Sequence, residues 1–291
     1  MYKNQVSASQ KGGNLTKPET LRFQTHHEKL GGRPLLGTVL TVPAEMVAML
    51  AAQTFDFVMI DMEHSPMTAE QMNRLVHSVV AASQGKCLAI VRVPSHDVEW
   101  IKWALDSGAA GIIVPMVNNA TEMKHIISHA LYPPKGKRSF GPFNAMFGRQ
   151  LGGTQMGTYY DMAQDQGVAI LPIIESVEGL ENAESILAVD GVSGVFIGPA
   201  DLRSSMGLSI GVDGPEPEFQ QALTKICDAA ARCGKISGSM GTTPDSIKAR
   251  TELGMKFLLV TLDYNVLLSG FASAMDSAKS ALLNVVPKGN L

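Results

Sequence analysis

Residues 170–203 read ILPIIESVEGLENAESILAVDGVSGVFIGPADLR, and this stretch decides the fold. Two short apolar runs, ILPII and VSGVFI, each end in a polar cluster. Glu175-Ser176 closes the first and Gly198-Pro199-Ala200-Asp201 the second. Between them Val177, Leu180, Ala183, Ile186 and Leu187 fall at helical spacing. The unit is strand, helix, strand. A crossover of this kind is right-handed and leaves its strands parallel, so both carboxylates emerge at one sheet edge. Neighbouring strands lie about 4.8 Å apart. Two carboxylates that close repel unless a cation sits between them. Glu175 and Asp201 therefore read as ligands of one divalent metal; two helix-capping acids are the alternative.

The same rhythm runs outward in both directions. Strand-length apolar runs occur at Leu35–Val42, Phe57–Met62, Cys87–Val93, Gly111–Met116, Val168–Ile174, Gly194–Ile197, Ile236–Met240 and Lys256–Leu262. Helical patterns separate them: Ala44–Gln53, Ala69–Ser83, Asp97–Asp106, Thr121–Ala130, Val177–Ala188, Glu218–Arg232 and Asp245–Leu253. A short helix over Thr20–Leu30 precedes the first strand, and a last helix covers Val266–Leu283. Continuous apolar strands alternating with helices give a parallel sheet covered on both faces. The length of 291 residues suits a single (β/α)8 barrel spanning residues 21–291, behind a polar, disordered tail over 1–20. A doubly wound open sheet is the competitor. No Gly-x-Gly-x-x-Gly follows the first strand and no phosphate-binding Walker loop occurs. Only Tyr132–Gly153 breaks the rhythm, with Phe140, Phe143 and Phe147 but no clear period; loops this long are usually functional.

Composition narrows the function. The formal charge of −3, with no basic cluster, gives no reason to expect nucleic acid. No apolar run approaches the roughly 20 residues that cross a bilayer, and no secretory leader is visible. Three cysteines, Cys87, Cys227 and Cys233, without a Cys-x-x-Cys pair, read as reduced thiols of a cytoplasmic protein.

In barrel enzymes the reacting groups stand at the C-terminal ends of the strands. Here those ends carry Asp61, Glu63 and His64, then Arg92, Glu175, Asp201, Ser239, Thr261 and Asp263. Glu175 and Asp201 offer hard oxygens suited to Mg2+ or Mn2+, with Co2+ or Zn2+ as substitutes. Arg92 can hold an oxyanion with its planar fork, or pair with Asp61 or Glu63. His64 carries an imidazole, the side chain best suited to proton transfer. The Gly198–Asp201 turn opens a helix whose free amides suit a carboxylate. Together these groups fit a 2-oxo acid held on a metal, with an enolate formed by proton removal or C–C cleavage. A Schiff-base route needs a lysine at this rim, and Lys86, Lys235 and Lys256 all stand at strand beginnings. His125 and His129 lie i, i+4 on a helix with no third ligand nearby; His26-His27 reads as exposed; Trp100 and Trp103 read as packing.

The strings FDFVMIDMEHSP, VRVP, GIIVPMVNNA, YPPKGKRSFG, PIIES and GVFIGPADL resemble the HpcH/HpaI aldolase family, from about Gly37 to Val266. These are class II pyruvate aldolases related to 2,4-dihydroxyhept-2-enedioate aldolase. The resemblance implies a barrel of the phosphoenolpyruvate/pyruvate-binding type and a divalent metal. It implies a lyase that cleaves a 4-hydroxy-2-oxo acid to pyruvate and an aldehyde through a metal-bound enolate. It also implies a homo-oligomer, trimer or hexamer, with the last helix exchanged between subunits. By this resemblance Glu175 and Asp201 are the metal ligands, His64 the general base and Arg92 the transition-state stabiliser. The Ala200 amide would contact the substrate carboxylate. Asp106 in LDSGA would raise the basicity of the histidine, although the strand count sets it on the opposite rim, within reach only of a neighbouring subunit.

Two departures bear on substrate. Ile173 stands where the bacterial aldolases carry a substrate-contacting Gln, and KGKRSFGPF resembles fungal-type relatives, some of which decarboxylate oxaloacetate. Oxaloacetate decarboxylation is thus the alternative within the same chemistry. A citrate-lyase-like acyl-CoA lyase and an inactive barrel used for binding or assembly are the others.

Overall fold

The structure, a computed structural model, describes residues 22–148 and 156–283. The expected tail over 1–20 and the end of the 132–153 interval lie outside the described residues. The strands are β1 Leu35–Leu40, β2 Phe57–Asp61, β3 Leu88–Arg92, β4 Gly111–Val114, β5 Ala169–Ile174, β6 Gly194–Ile197, β7 Ile236–Met240 and β8 Phe257–Leu262. All pair in parallel with their sequence neighbours, and β1 also pairs with β8, which closes the barrel. Helix α1 (Phe23–Lys29) precedes it. Helices α2 (Glu45–Ala52), α3 (Ala69–Ser83), α4 (Val98–Asp106) and α5 (Ala120–Ala130) follow the first four strands. Next come α6 (Ala145–Gly148) and α7 (Met156–Gln164), then α8 (Val177–Glu181) and α9 (Ala183–Leu187) after β5. Helices α10 (Pro199–Ser205) and α11 (Pro217–Arg232) follow β6, α12 (Pro244–Glu252) follows β7, and α13 (Asp263–Leu283) follows β8.

Side chains alternate across each strand and so build two cores. Val58, Ile60, Ile112, Ile170 and Val195 pack outward against the helices. Met59, Ile90, Leu171, Ile173 and Phe196 fill the interior. Two residues beyond Met59, Ile90 and Ile173 the same period sets Asp61, Arg92 and Glu175 on the inner side of the rim. The opposite end is stoppered. Phe23 of α1 is fully buried, its ring edge-on to Phe57 at 5.2 Å and to Phe257 at 5.0 Å. Small residues make room for these rings: a β-carbon on Gly37 would lie 2.5 Å from the Phe57 ring.

The expected strands appear within two residues at each end, and the differences have causes. Strand β4 stops at Val114 because Pro115 has no amide to donate and Met116 turns to a φ of 52°. The single helix expected over Val177–Ala188 is two, broken at Asn182, whose side-chain amide donates to the Asn118 carbonyl at 2.9 Å. The expected exposure of His26-His27 is corrected: α1 closes the barrel floor, and His26 is buried there with Phe23. Inside the irregular interval, Phe140 packs on Tyr132 and Tyr160 with centroids 5.7 and 5.9 Å apart, yet like Phe143 and Phe147 it remains exposed. Cys87 and Cys227 are buried, Cys233 is half-buried, and all three are free thiols. No helix among the described residues is long and apolar enough to cross a membrane.

Candidate active site

The centre of the rim is Glu175, one residue past β5 and 5% exposed. Its Oε1 accepts the Met116 amide at 2.7 Å. Its Oε2 lies against Gly198, where a β-carbon would sit 2.5 Å away. Burial pushes the Glu175 carboxyl up to about 7, against the pull of the Met116 amide, and the nearby charges of Glu63 and Asp201 push the same way. Asp201 is exposed in the first turn of α10, whose Pro199 stands at the helix start. The first-turn amides of a helix, that of Ala200 among them, have no intrahelical acceptor.

Arg92 lies at the end of β3 and is held by two acids. Its Nε and Nη2 donate to the two oxygens of Asp61 at 2.8 and 2.6 Å, and its Nη1 lies 3.1 Å from Glu63 Oε2. Burial works against this charge, but the Asp61 hydrogen bonds and the surrounding acids raise the guanidinium further above its usual range. The pairing with Asp61 and Glu63 foreseen as an alternative is thus present. It fixes the plane of the fork rather than removing the residue from the rim. Burial also raises the Glu63 carboxyl, with Arg92 and His64 opposing. The His64 ring is largely exposed, and its Nε2 stands 3.7 Å from Glu63 Oε2.

These groups converge; others do not. Asp106 ends α4, just ahead of β4 and therefore on the opposite rim. It accepts from Arg138 Nη2 at 2.5 Å, and burial pushes its carboxyl up. Within one chain it does not meet His64. Asp263 is committed elsewhere: it opens α13, and its Oδ2 accepts the Thr41 and Val42 amides at 2.8 Å each. Ser239 is fully buried and donates to the Ile197 carbonyl at 2.9 Å. His125 and His129 meet edge-on with centroids 4.5 Å apart, and Trp100 meets Trp103 edge-on at 5.4 Å. Sequence reasoning missed the Met116 amide and the bare Gly198 that flank Glu175; backbone groups leave no signal in residue type.

Among the described residues no group of three or more His, Cys, Asp or Glu side chains is arranged to hold a metal ion. The donor chemistry of the rim nevertheless fits a hard divalent cation. Mg2+ is commonly held by one or two carboxylates and completes its shell with water and substrate oxygens. The negative charge gathered from Glu63, Glu175 and Asp201, which raises Glu175, is what such a cation relieves.

Comparison with known proteins agrees with this architecture. A family profile described as HpcH/HpaI aldolase/citrate lyase matches residues 39–267. A hydroxypyruvate/pyruvate aldolase of Roseobacter denitrificans is 34% identical over 239 residues, covering 82% of this chain and 90% of that protein. A 4-hydroxy-2-oxo-heptane-1,7-dioate aldolase of Salmonella typhimurium is 34% identical over 82% of this chain and 88% of its own. The crystal structure of an HpcH/HpaI aldolase from Desulfitobacterium hafniense superposes with a TM-score of 0.78 at 27% identity, over 93% of this chain and all 100% of that one. With its closed eight-stranded barrel and a match along most of its length, the chain belongs to the HpcH/HpaI aldolase/citrate lyase family.

Proposed function

We propose that this chain is a divalent-metal-dependent carbon–carbon lyase that cleaves a 4-hydroxy-2-oxo acid to pyruvate and an aldehyde. The observation that carries the proposal is the buried Glu175 beside Asp201, on the same barrel rim as Arg92 and His64. Glu175 and Asp201 would hold Mg2+ or Mn2+, which when bound polarises the 2-oxo carbonyl and lowers the energy of the enolate. His64 takes the proton of the C4 hydroxyl. The C3–C4 bond then breaks, its electron pair passes into the enolate of pyruvate, and the aldehyde departs. Protonation at C3 yields pyruvate. Arg92, fixed in plane by Asp61, faces the developing oxyanion. The Ala200 amide receives the substrate carboxylate. Asp106 would raise the basicity of a neighbouring copy's histidine, and within the chain Glu63 is the acid beside His64.

A homo-oligomer supports this arrangement. Helix α13 carries Val266, Leu268, Phe271 and Met275 exposed, a surface suited to exchange of the last helix with another copy. The free thiols fit the reducing cytoplasm. One feature favours a second reading, decarboxylation of oxaloacetate to the same enolate. Ile173, where the bacterial aldolases carry Gln, lies buried against Gly198 beneath the site. An apolar floor desolvates a departing carboxylate and offers no amide to a substrate hydroxyl.

Pyruvate release separates these readings. It is measured with Mg2+ or Mn2+ on oxaloacetate and on a panel of 4-hydroxy-2-oxo acids, with EDTA and Glu175→Gln as controls. Release from the hydroxy acids that both controls abolish supports the aldolase. Release from oxaloacetate alone selects the decarboxylase. Release that survives EDTA refutes the metal mechanism.

A further inference from the structure

Beyond the end of β4, Met116 has a φ of 52°. A left-handed backbone is costly for a residue with a β-carbon and free for glycine. The turn that holds it is braced from several sides. His96 Nε2 lies 2.7 Å from the Pro115 carbonyl oxygen. Asn118 Nδ2 donates to the Met116 carbonyl at 3.2 Å, and the Val117 amide donates to the Ile173 carbonyl at 3.3 Å. Asn118 Oδ1 accepts the Ser176 hydroxyl. The turn is thereby stitched to residues on both sides of Glu175. What this conformation delivers is the Met116 amide, donated to Glu175 Oε1 at 2.7 Å. Strain that surrounding structure enforces at a rim of this kind is a sign of a positioning task.

We infer that Met116 is a positioning residue for Glu175. Its left-handed backbone aims an amide that pins Oε1 and so leaves Oε2, on the Gly198 side, for the divalent cation. The inference rests on the reading of Glu175 as a cation ligand. The task belongs to the backbone, so the side chain matters only through the φ it permits. A carboxylate with one oxygen fixed has one orientation to offer, and outer partners of this sort commonly change metal affinity 10- to 100-fold, by order of magnitude.

The test is Mn2+ titration calorimetry on the full chain, with circular dichroism to confirm folding. Wild type that binds Mn2+, and Glu175→Gln that does not, together uphold the cation-site reading. Binding that is absent from wild type, or unchanged in Glu175→Gln, overturns that reading and this inference with it. Met116→Gly keeps the amide and tolerates the φ, so its Kd stays within about twofold of wild type. Met116→Val disfavours the left-handed region and weakens binding about tenfold. Replacement of the 115–116 amide by an ester removes the N–H while keeping the methionine side chain, also weakens binding about tenfold, and serves where the valine variant fails to fold. A glycine variant weaker than the valine variant, or an ester variant equal to wild type, overturns the inference while Glu175→Gln still upholds the cation site.

Discussion

Replacing Gly198 by alanine adds one carbon against Glu175. In the present backbone that carbon lies 2.5 Å from Oε2, 2.8 Å from the Glu175 β-carbon and 2.9 Å from Ile173 Cγ2. An ordinary contact begins near 3.4 Å, so the carboxylate must retreat by about 0.9 Å. Retreat is obstructed, because Oε1 is held by the Met116 amide at 2.7 Å and Ile173 is buried beneath. The backbone of Gly198, with φ −83° and ψ 93°, lies beside the extended region that alanine adopts, so the effect is steric. Overpacking of this size costs about 1–3 kcal/mol of stability. Displacing a ligand oxygen by most of an ångström weakens metal binding on the order of 10- to 100-fold. Urea unfolding measures the first effect and Mn2+ calorimetry the second. A Gly198→Ala protein with wild-type Mn2+ affinity would show that Oε2 is not the ligand atom and refute the reasoning.

Phe23→Ala removes the stopper ring from the barrel floor and is expected to cost roughly 3–5 kcal/mol in urea unfolding, with Mn2+ affinity unchanged. Asp106→Asn strips the buried Arg138 of its charge partner; a loss of about 3–5 kcal/mol by the same assay is expected, and a neutral result would mean another group compensates. In the metal-free protein Glu175, raised from 4.5 to about 7, binds its proton more tightly when folded than unfolded. Its contribution is therefore favourable below pH 4.5 and is lost as pH rises to 7, a fall of roughly 3 kcal/mol that Glu175→Gln should remove. For the same reason Mn2+ binding should tighten and release a proton across that range, which calorimetry in buffers of different ionisation enthalpy detects.

The barrel was legible because its strands are buried on both faces. Every residue of β5 is buried, so it reads as an uninterrupted apolar run that a half-exposed strand would not give. Glu175, Asp201, Arg92 and His64 were legible as polar residues that end such runs. The break at Asn182 was not, because Val177 to Leu187 keep their helical spacing and the partner that ends the first helix is Asn118, 64 positions away in sequence. Helix α10 was legible only at its start, the Gly198–Asp201 turn; its 7 residues are too few to show a stripe that would mark its extent. The partner of Asp106 lies in the irregular interval, where no period sets Arg138 in space. The burial of His26 was hidden as well, since nothing in a polar approach to the first strand shows that it turns under the barrel.

The stoppered floor has a consequence for traffic. Among the described residues, the inside of the sheet from Phe23 up to Ile173 is one continuous cluster of buried side chains, which leaves no rear exit. Whatever binds against Glu175 arrives and departs through the mouth at the C-terminal rim. Two molecules produced there share that single doorway and must use it in turn, the outer one clearing the way for the inner.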